Sequence, residues 1–166
     1  MPIEPIEEPG VLEIDAVLVR TMREADLDAV VAIDARETGR KRPQYFRLMI
    51  DRAVKQSAMQ VSLVAEFERR TVGFLIASLY YGEYGVMEPS ASIDSIGVDP
   101  DYRGRHIGRA LMRQLRQNLG ALRITTLRTE VSWDDFSLLS FFKREGFVPA
   151  RRLCLECTLD PTAPSE

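Results

Sequence analysis

At 166 residues the chain has the length of one domain, and with 45% apolar residues it can bury a substantial core. A formal net charge of -3 argues against a general electrostatic affinity for nucleic acid or anionic membrane, and no apolar run approaches the roughly 20 residues that span a bilayer. Met1 to Asp15 is acidic and proline-containing, without the basic start and apolar run of a signal peptide, so the sequence reads as cytoplasmic. The expected division is a flexible leader over residues 1–15, one folded domain over residues 16–159 and a disordered tail over residues 160–166.

Along the chain, Ala16 to Arg20 reads as a short strand. Asp26 to Arg36 follows as a helix, with Leu27, Val30, Val31 and Ile33 at near-helical spacing. Gly39 and the basic cluster Arg40, Lys41 and Arg42 interrupt it, and Pro43 suits the first turn of a second helix whose apolar face is Phe46, Met49, Ile50, Ala53 and Val54. Val61 to Phe67 and Val72 to Tyr81 are β-rich runs at hairpin spacing, which predicts a central antiparallel pair. Tyr84 to Ser92 reads as a loop and Ile93 to Val98 as a strand that stops at Asp99-Pro100. Ile107, Leu111, Leu115 and Leu119 recur at steps of four and mark an amphipathic helix that Gly120 should end. A strand from Ile124 to Val131 comes next. Asp134 or Asp135 can then cap a helix carrying Leu138, Leu139, Phe141 and Phe142 and ending at Gly146, with Phe147 to Val148 and Arg152 to Leu159 as paired closing strands. This order predicts an α+β fold around one central sheet.

Cys154 and Cys157 have the spacing of a redox pair or of half a zinc site. A strand over Arg152 to Leu159 sends their sulfurs to opposite faces, there is no second pair, and His106 is the only histidine, so neither metal nor redox chemistry is expected. The junction from Asp99 to Ala110 carries more. It leads from an apolar strand into a helix through Arg103, Gly104, Arg105, His106, Ile107, Gly108 and Arg109. Backbone N–H groups at a helix start have no intrahelical acceptor and lie at the positive end of the dipole, so they favour phosphate; glycine allows close approach and arginine adds charge. The same residues also suit a plain helix start with solvated arginines. A P-loop and a dinucleotide fingerprint are both absent from the sequence, which leaves another phosphate carrier.

Ile93 to Leu111 resembles the acyl-CoA motif of the GNAT superfamily: an apolar strand, Val-Asp-Pro, an aromatic residue, then Arg/Gln-x-x-Gly-x-Gly/Ala. Glu130-Val131 at a strand end, the helix from Asp135 through Phe142 and the pair Gly146-Phe147 extend the likeness, as does Arg20 to Ala35. The resemblance implies a GNAT-like fold, a mixed and mostly antiparallel sheet flanked by helices and splayed at the cofactor strands. It further implies acetyl-CoA or a related acyl-CoA as cosubstrate, with no metal. Pantetheine would lie beside Ile96, Gly97 and Val98, the pyrophosphate on Arg103 to Arg109, and Asp135 and Phe142 would face the cofactor. Two departures stand out. The second glycine of the turn is His106, which should need helical or otherwise favourable dihedrals. The tyrosine that often protonates the departing thiolate is Phe142, which has no proton to give.

The implied activity is N-acetyl transfer to a primary amine by direct attack. The alternative is an acyl-CoA-binding regulatory module with little turnover, for which Phe142 and Asp135 are the motive. Glu130, ahead of Asp94, is the expected general base, because some family members carry theirs at the matching position. Tyr80, Tyr81 and Tyr84 lie between the hairpin and the cofactor strand and are candidates to line the acceptor side, for a small-molecule or protein amine. A homodimer through the closing strands is implied by the resemblance alone.

Overall fold

The computed structural model describes residues 16–56, 59–82, 85, 87–159 and 162. Tyr84, the leader over residues 1–15 and all but residue 162 of the tail lie outside the described residues. Two compact units divide the chain, residues 1–132 and 133–166.

The first unit holds a five-stranded sheet in sequence order. Its strands are β1 (Leu18–Thr21), β2 (Leu63–Phe67), β3 (Arg70–Tyr80), β4 (Ser90–Val98) and β5 (Thr126–Thr129). Pairings are antiparallel from β1 through β4, whereas β4 and β5 run parallel. Parallel neighbours need a crossover, supplied here by α3 (Ile107–Ala121). Helices α1 (Leu27–Thr38) and α2 (Pro43–Asp51), the latter running on into a π-helical turn over Arg52–Gln56, fill the interval between β1 and β2.

Alternation along β3 divides the core. Phe74 and Ile76 join Val64, Met22, Val30, Ile33, Phe46 and Ile50 in one buried cluster with α1 and α2, where the Phe46 and Phe74 rings meet edge to face at 5.6 Å. Gly73, one residue before, belongs to the other face. A Cβ added there would lie 2.8 Å from Ile107 Cγ2 and 3.4 Å from Leu111 Cδ1, so the missing side chain seats α3 on the sheet. Helix α3 buries Ile107, Ala110, Leu111, Met112, Leu115 and Leu119.

Ion pairs fasten the helices, two groups of them near β1 and at the start of α2. Arg20 on β1 donates to Asp26 at 2.7 and 2.9 Å and to Glu66 on β2 at 2.7 Å, while Arg23 N–H also donates to Asp26. Arg42 at the start of α2 pairs with buried Asp34 on α1, its guanidinium 5.0 Å from the Tyr45 ring centre and 5.4 Å from that of Phe46. No helix among the described residues is long and apolar enough to cross a membrane.

Several boundaries differ from the sequence reading, among them β5, which spans Thr126–Thr129 rather than Ile124 to Val131. Strand β4 begins at Ser90, because Ser90, Ala91 and Ser92 take ladder positions opposite Tyr80, Leu79 and Ser78 that a serine-rich segment does not announce. Helix α3 passes through Gly120, which stays helical. The left-handed cap falls on Arg123 (φ 56°), with Arg123 N–H donating to Gly120 and Ile124 N–H to Leu119. In the second unit α4 (Phe136–Arg144) forms as expected and turns at Gly146 (φ 84°). The described residues after it form no strand, and Val148, Leu153, Leu155 and Leu159 are largely exposed. Alternation assigns faces to a segment, but a strand also needs a ladder partner.

Candidate functional site

The site is built where β4 leaves the sheet and α3 begins. The ladder between β4 and β5 runs from Ser90↔Thr126 to Ile93↔Thr129 and stops there, its last rung reinforced by the Thr129 hydroxyl donating to the Ile93 carbonyl at 3.0 Å. On its other side β4 stays paired with β3 as far as Val98↔Gly73. The segment Asp94–Val98 is thus one side of a fork, with an edge that β5 does not cover. Asp94 and Glu130 are the first residues past the last rung, one on each strand.

Asp94 is also the extra residue of a β-bulge, since Ser95 opposes Ile76 and Ile93 opposes Ala77. The bulge turns its carboxylate toward β3, where Ser78 Oγ donates to Oδ2 in a short hydrogen bond. Burial pushes the Asp94 carboxyl above its ordinary range, against the smaller pull of hydrogen bonds from Ser78 and Ser92. Glu130 is exposed.

Beyond Val98 the chain makes one tight turn over Pro100–Tyr102. Asp99 organises it: its N–H donates to Val72, and its carboxylate accepts from Asp101 N–H at 3.0 Å. The end of α1 holds the turn from outside, with Arg36 paired to both Asp99 and Asp101 and Glu37 accepting from Arg103 at 2.8 Å. Gly97 permits this approach, because a Cβ there would meet Phe74 Cε1 at 2.6 Å and Glu37 Oε2 at 3.4 Å.

The entry into α3 passes through two left-handed residues. Gly104 has φ 75° and His106, the residue preceding the helix, has φ 58° and ψ 20°. The left-handed residue followed by helical Ile107 makes successive N–H groups converge on one concavity. No side chain caps this end and no acidic residue lies in the first turn, while the first intrahelical bond is Ala110 N–H to His106 C=O. Arg105 lies 5.3 Å from the Tyr102 ring centre. His106 thus takes the conformation in which the sequence pattern usually has glycine. The expectation of helical dihedrals is corrected to the left-handed region, which an L-residue reaches at a cost of roughly 1–2 kcal/mol.

The acetyltransferase (GNAT) domain family matches residues 59–149, more than half of the chain.

The chain belongs to the GNAT acetyltransferase family.

Solved structures agree in fold. Ard1 from Thermoplasma volcanium superposes with a TM-score of 0.67 at 24% identity, over 80% of this chain and 83% of that one. The ribosomal-protein-alanine N-acetyltransferase of Brucella melitensis biovar Abortus 2308 gives 0.70 at 18% identity, over 87% and 100%. The aminoglycoside antibiotic 6'-N-acetyltransferase AAC(6')-Ih of Acinetobacter baumannii gives 0.72 at 18%, over 87% and 99%.

Against this GNAT frame the sequence-derived residues fall into groups. Ile96, Gly97 and Val98 line the fork, and Arg103 through Arg109 form the turn and the first turn of α3. Tyr80 ends β3 two residues beyond Ser78 and so shares its face; Tyr81 is exposed. Asp135 and Phe142 lie in the second unit, where each has a local task. The Asp135 carboxylate accepts from Leu138 N–H at 3.0 Å as the cap of α4, and Phe142 packs against Phe141 and Phe147. Cys154 and Cys157 are exposed free thiols. Ser78, Arg36 and Glu37 escaped the sequence reading. A serine within an apolar strand was a usable signal for the first, but nothing in sequence links Arg36 to Asp99, 63 residues away.

Proposed function

We propose that this GNAT domain transfers an acetyl group from acetyl-CoA, or a related acyl group, to a primary amine by direct attack. The observation that carries the reading is the coincidence of two features on one strand-to-helix junction. One is an uncapped, acid-free helix start with converging N–H groups; the other is the β4 edge over Asp94–Val98, which β5 does not pair. The first fits a pyrophosphate, with Arg103, Arg105 and Arg109 adding charge. The second fits an extended amide-bearing arm laid beside Ile96, Gly97 and Val98 like an added strand, which holds the thioester at the fork.

There the amine nitrogen attacks the thioester carbonyl carbon, the C–S bond breaks, and the amine proton passes to a carboxylate. Asp94 is assigned that role, because a carboxyl raised by burial is better matched to removing a proton near neutral pH than an exposed one. Glu130, across the fork, is the second candidate. The thiolate is a tolerable leaving group, its ordinary pKa being about 8.5, so protonation by water suffices without a tyrosine at Phe142. Tyr80 and Tyr81 suit a cationic or aromatic acceptor.

The test measures CoA thiol release from acetyl-CoA across a panel of amines, with acetyl-CoA affinity determined separately by calorimetry. Asp94→Asn should lower turnover by about 10²-fold or more with affinity retained, and Glu130→Gln by only a few-fold. Tight acetyl-CoA binding with no thiol release for any amine would replace the transferase by a binding module. A larger loss in Glu130→Gln would move the base across the fork.

A further inference from the structure

Along β3 one face of the sheet runs Phe74, Ile76, Ser78 and Tyr80. The first two are buried in the cluster with α1 and α2, and at Ser78 the face turns polar. Ser92 stands directly opposite Ser78 on β4, and Asp94 follows it two residues later. Ser78 is half-buried beside that apolar cluster, where a hydroxyl needs a partner.

The β-bulge supplies the partner. In a regular ladder Asp94 would oppose Ile76, which is 1% exposed, and would set a carboxylate against the apolar core. The extra residue gives that place to Ser95, and Asp94 instead accepts from the hydroxyls of Ser78, on the neighbouring strand, and Ser92, on its own. Two of the roughly four lone-pair sites of the carboxylate are filled in this way, and the rest are left for an incoming N–H. Neutral hydroxyls alone hold the group. The charged and titratable side chains on neighbouring elements do not move the Asp94 carboxyl: Glu37 on α1, Lys55 on the π-helical turn, Tyr80 on β3, Arg128 on β5 and Glu130 across the fork.

We propose that Ser78 is a positioning residue for acyl transfer, acting through Asp94 by fixing its carboxylate in the bulge at the first position past the last β4–β5 rung. During the step the amine nitrogen attacks the thioester carbon and its proton passes to the Asp94 carboxylate; Ser78 neither gives up nor takes a proton. Its hydroxyl stabilises the ionised carboxylate, the form that accepts the proton. The role in transfer rests on the assignment of Asp94 as base above, whereas the Ser78–Asp94 pair does not.

The experiment follows the Asp94 carboxyl carbon by NMR, in isotope-labelled protein, together with the pH dependence of CoA thiol release. It compares the wild type with Ser78→Ala and Ser78→Thr. Removing a donor to the ionised form raises a carboxyl pKa, so Ser78→Ala should titrate about one pH unit above wild type in both measurements. Turnover should then fall about tenfold more on the acid limb than on the plateau, whereas a merely structural loss would be equal at every pH. Ser78→Thr keeps the hydroxyl on a residue suited to a strand and should restore the wild-type acid limb. An Asp94 resonance that titrates at the same pH in wild type and Ser78→Ala overturns the proposal, and so does a Ser78→Thr protein that titrates like Ser78→Ala. A carboxyl that shifts while the acid limb of turnover stays in place would instead remove Asp94 as the base, and with it the role in transfer. Absence of thiol release by the wild type for every amine would refute the transferase reading, and the resonance would still decide the pair.

Discussion

Replacing Gly97 by alanine tests how closely the two faces of the fork are built. The added Cβ would lie 2.6 Å from Phe74 Cε1 and 2.9 Å from Cζ, whereas carbon atoms in favourable contact sit about 3.5–4.0 Å apart. The ring must retreat by about 1 Å, and it has little room. Phe74 is 1% exposed and meets Phe46, which is 0% exposed, edge to face. Overpacking of this kind destabilises by about 1–3 kcal/mol, while the unfolded chain loses freedom on gaining a Cβ, which returns about 0.4–1 kcal/mol. The expected net loss is up to about 2.6 kcal/mol, read as a lower urea midpoint with an unchanged slope. Gly120→Ala is the control, because its added Cβ meets nothing within 4 Å inside α3, and it should gain about 0.5–1 kcal/mol. Combining Gly97→Ala with Phe74→Leu should recover part of the loss through non-additivity. A Gly97→Ala midpoint at or above wild type, or an undiminished loss in the Phe74→Leu background, would refute the packing account.

Three further outcomes follow from the charges and the turn. Asp26 is buried; burial alone would raise its carboxyl, but the hydrogen bonds from Arg20 and Arg23 prevail and lower it. Its contribution to stability is present above the ordinary carboxylate pKa and lost as pH falls below about 4, so the acid-unfolding transition should flatten in Asp26→Asn, which also loses about 2–4 kcal/mol at neutral pH. Asp94 has the opposite sign: with its folded value raised, stability declines as pH rises through the carboxylate range, and Asp94→Asn should unfold at a higher temperature than wild type at pH near 7 but not at pH near 3. His106→Gly should remove left-handed strain at the start of α3 and stabilise by up to about 1 kcal/mol, acetyl-CoA affinity changing little because the amide remains; a loss above tenfold in calorimetry would show that the imidazole itself holds ligand.

The elements of the first unit were legible because each has a strong local signature. The steps of four in Ile107, Leu111, Leu115 and Leu119 define α3, and the apolar run at Val72 to Tyr81 contains most of β3. The position of the Gly-Arg turn ahead of α3 was legible for the same reason, since its residues lie within ten consecutive positions. The rest depends on distance in sequence. The bulge at Asp94 exists only relative to Ile76 and Ala77 on β3, and the clamp of Arg36 on Asp99 and Asp101 exists only once α1 is packed. The closing strands failed for a related reason. Leu153, Leu155 and Leu159 have the right alternation, but no hydrogen-bonding partner can be read from it. His106 shows a further limit, because an L-residue in the left-handed region leaves no mark in its own identity.

The most direct test of the account is a calorimetric titration of acetyl-CoA into the wild-type chain and into Gly108→Glu, each first shown to be folded by its unfolding transition. The substitution places bulk and negative charge on the first turn of α3, where the converging N–H groups are assigned to phosphate. The account predicts micromolar binding by the wild type and none measurable by the folded variant. Unchanged affinity in Gly108→Glu, or no binding by the wild type, would contradict it.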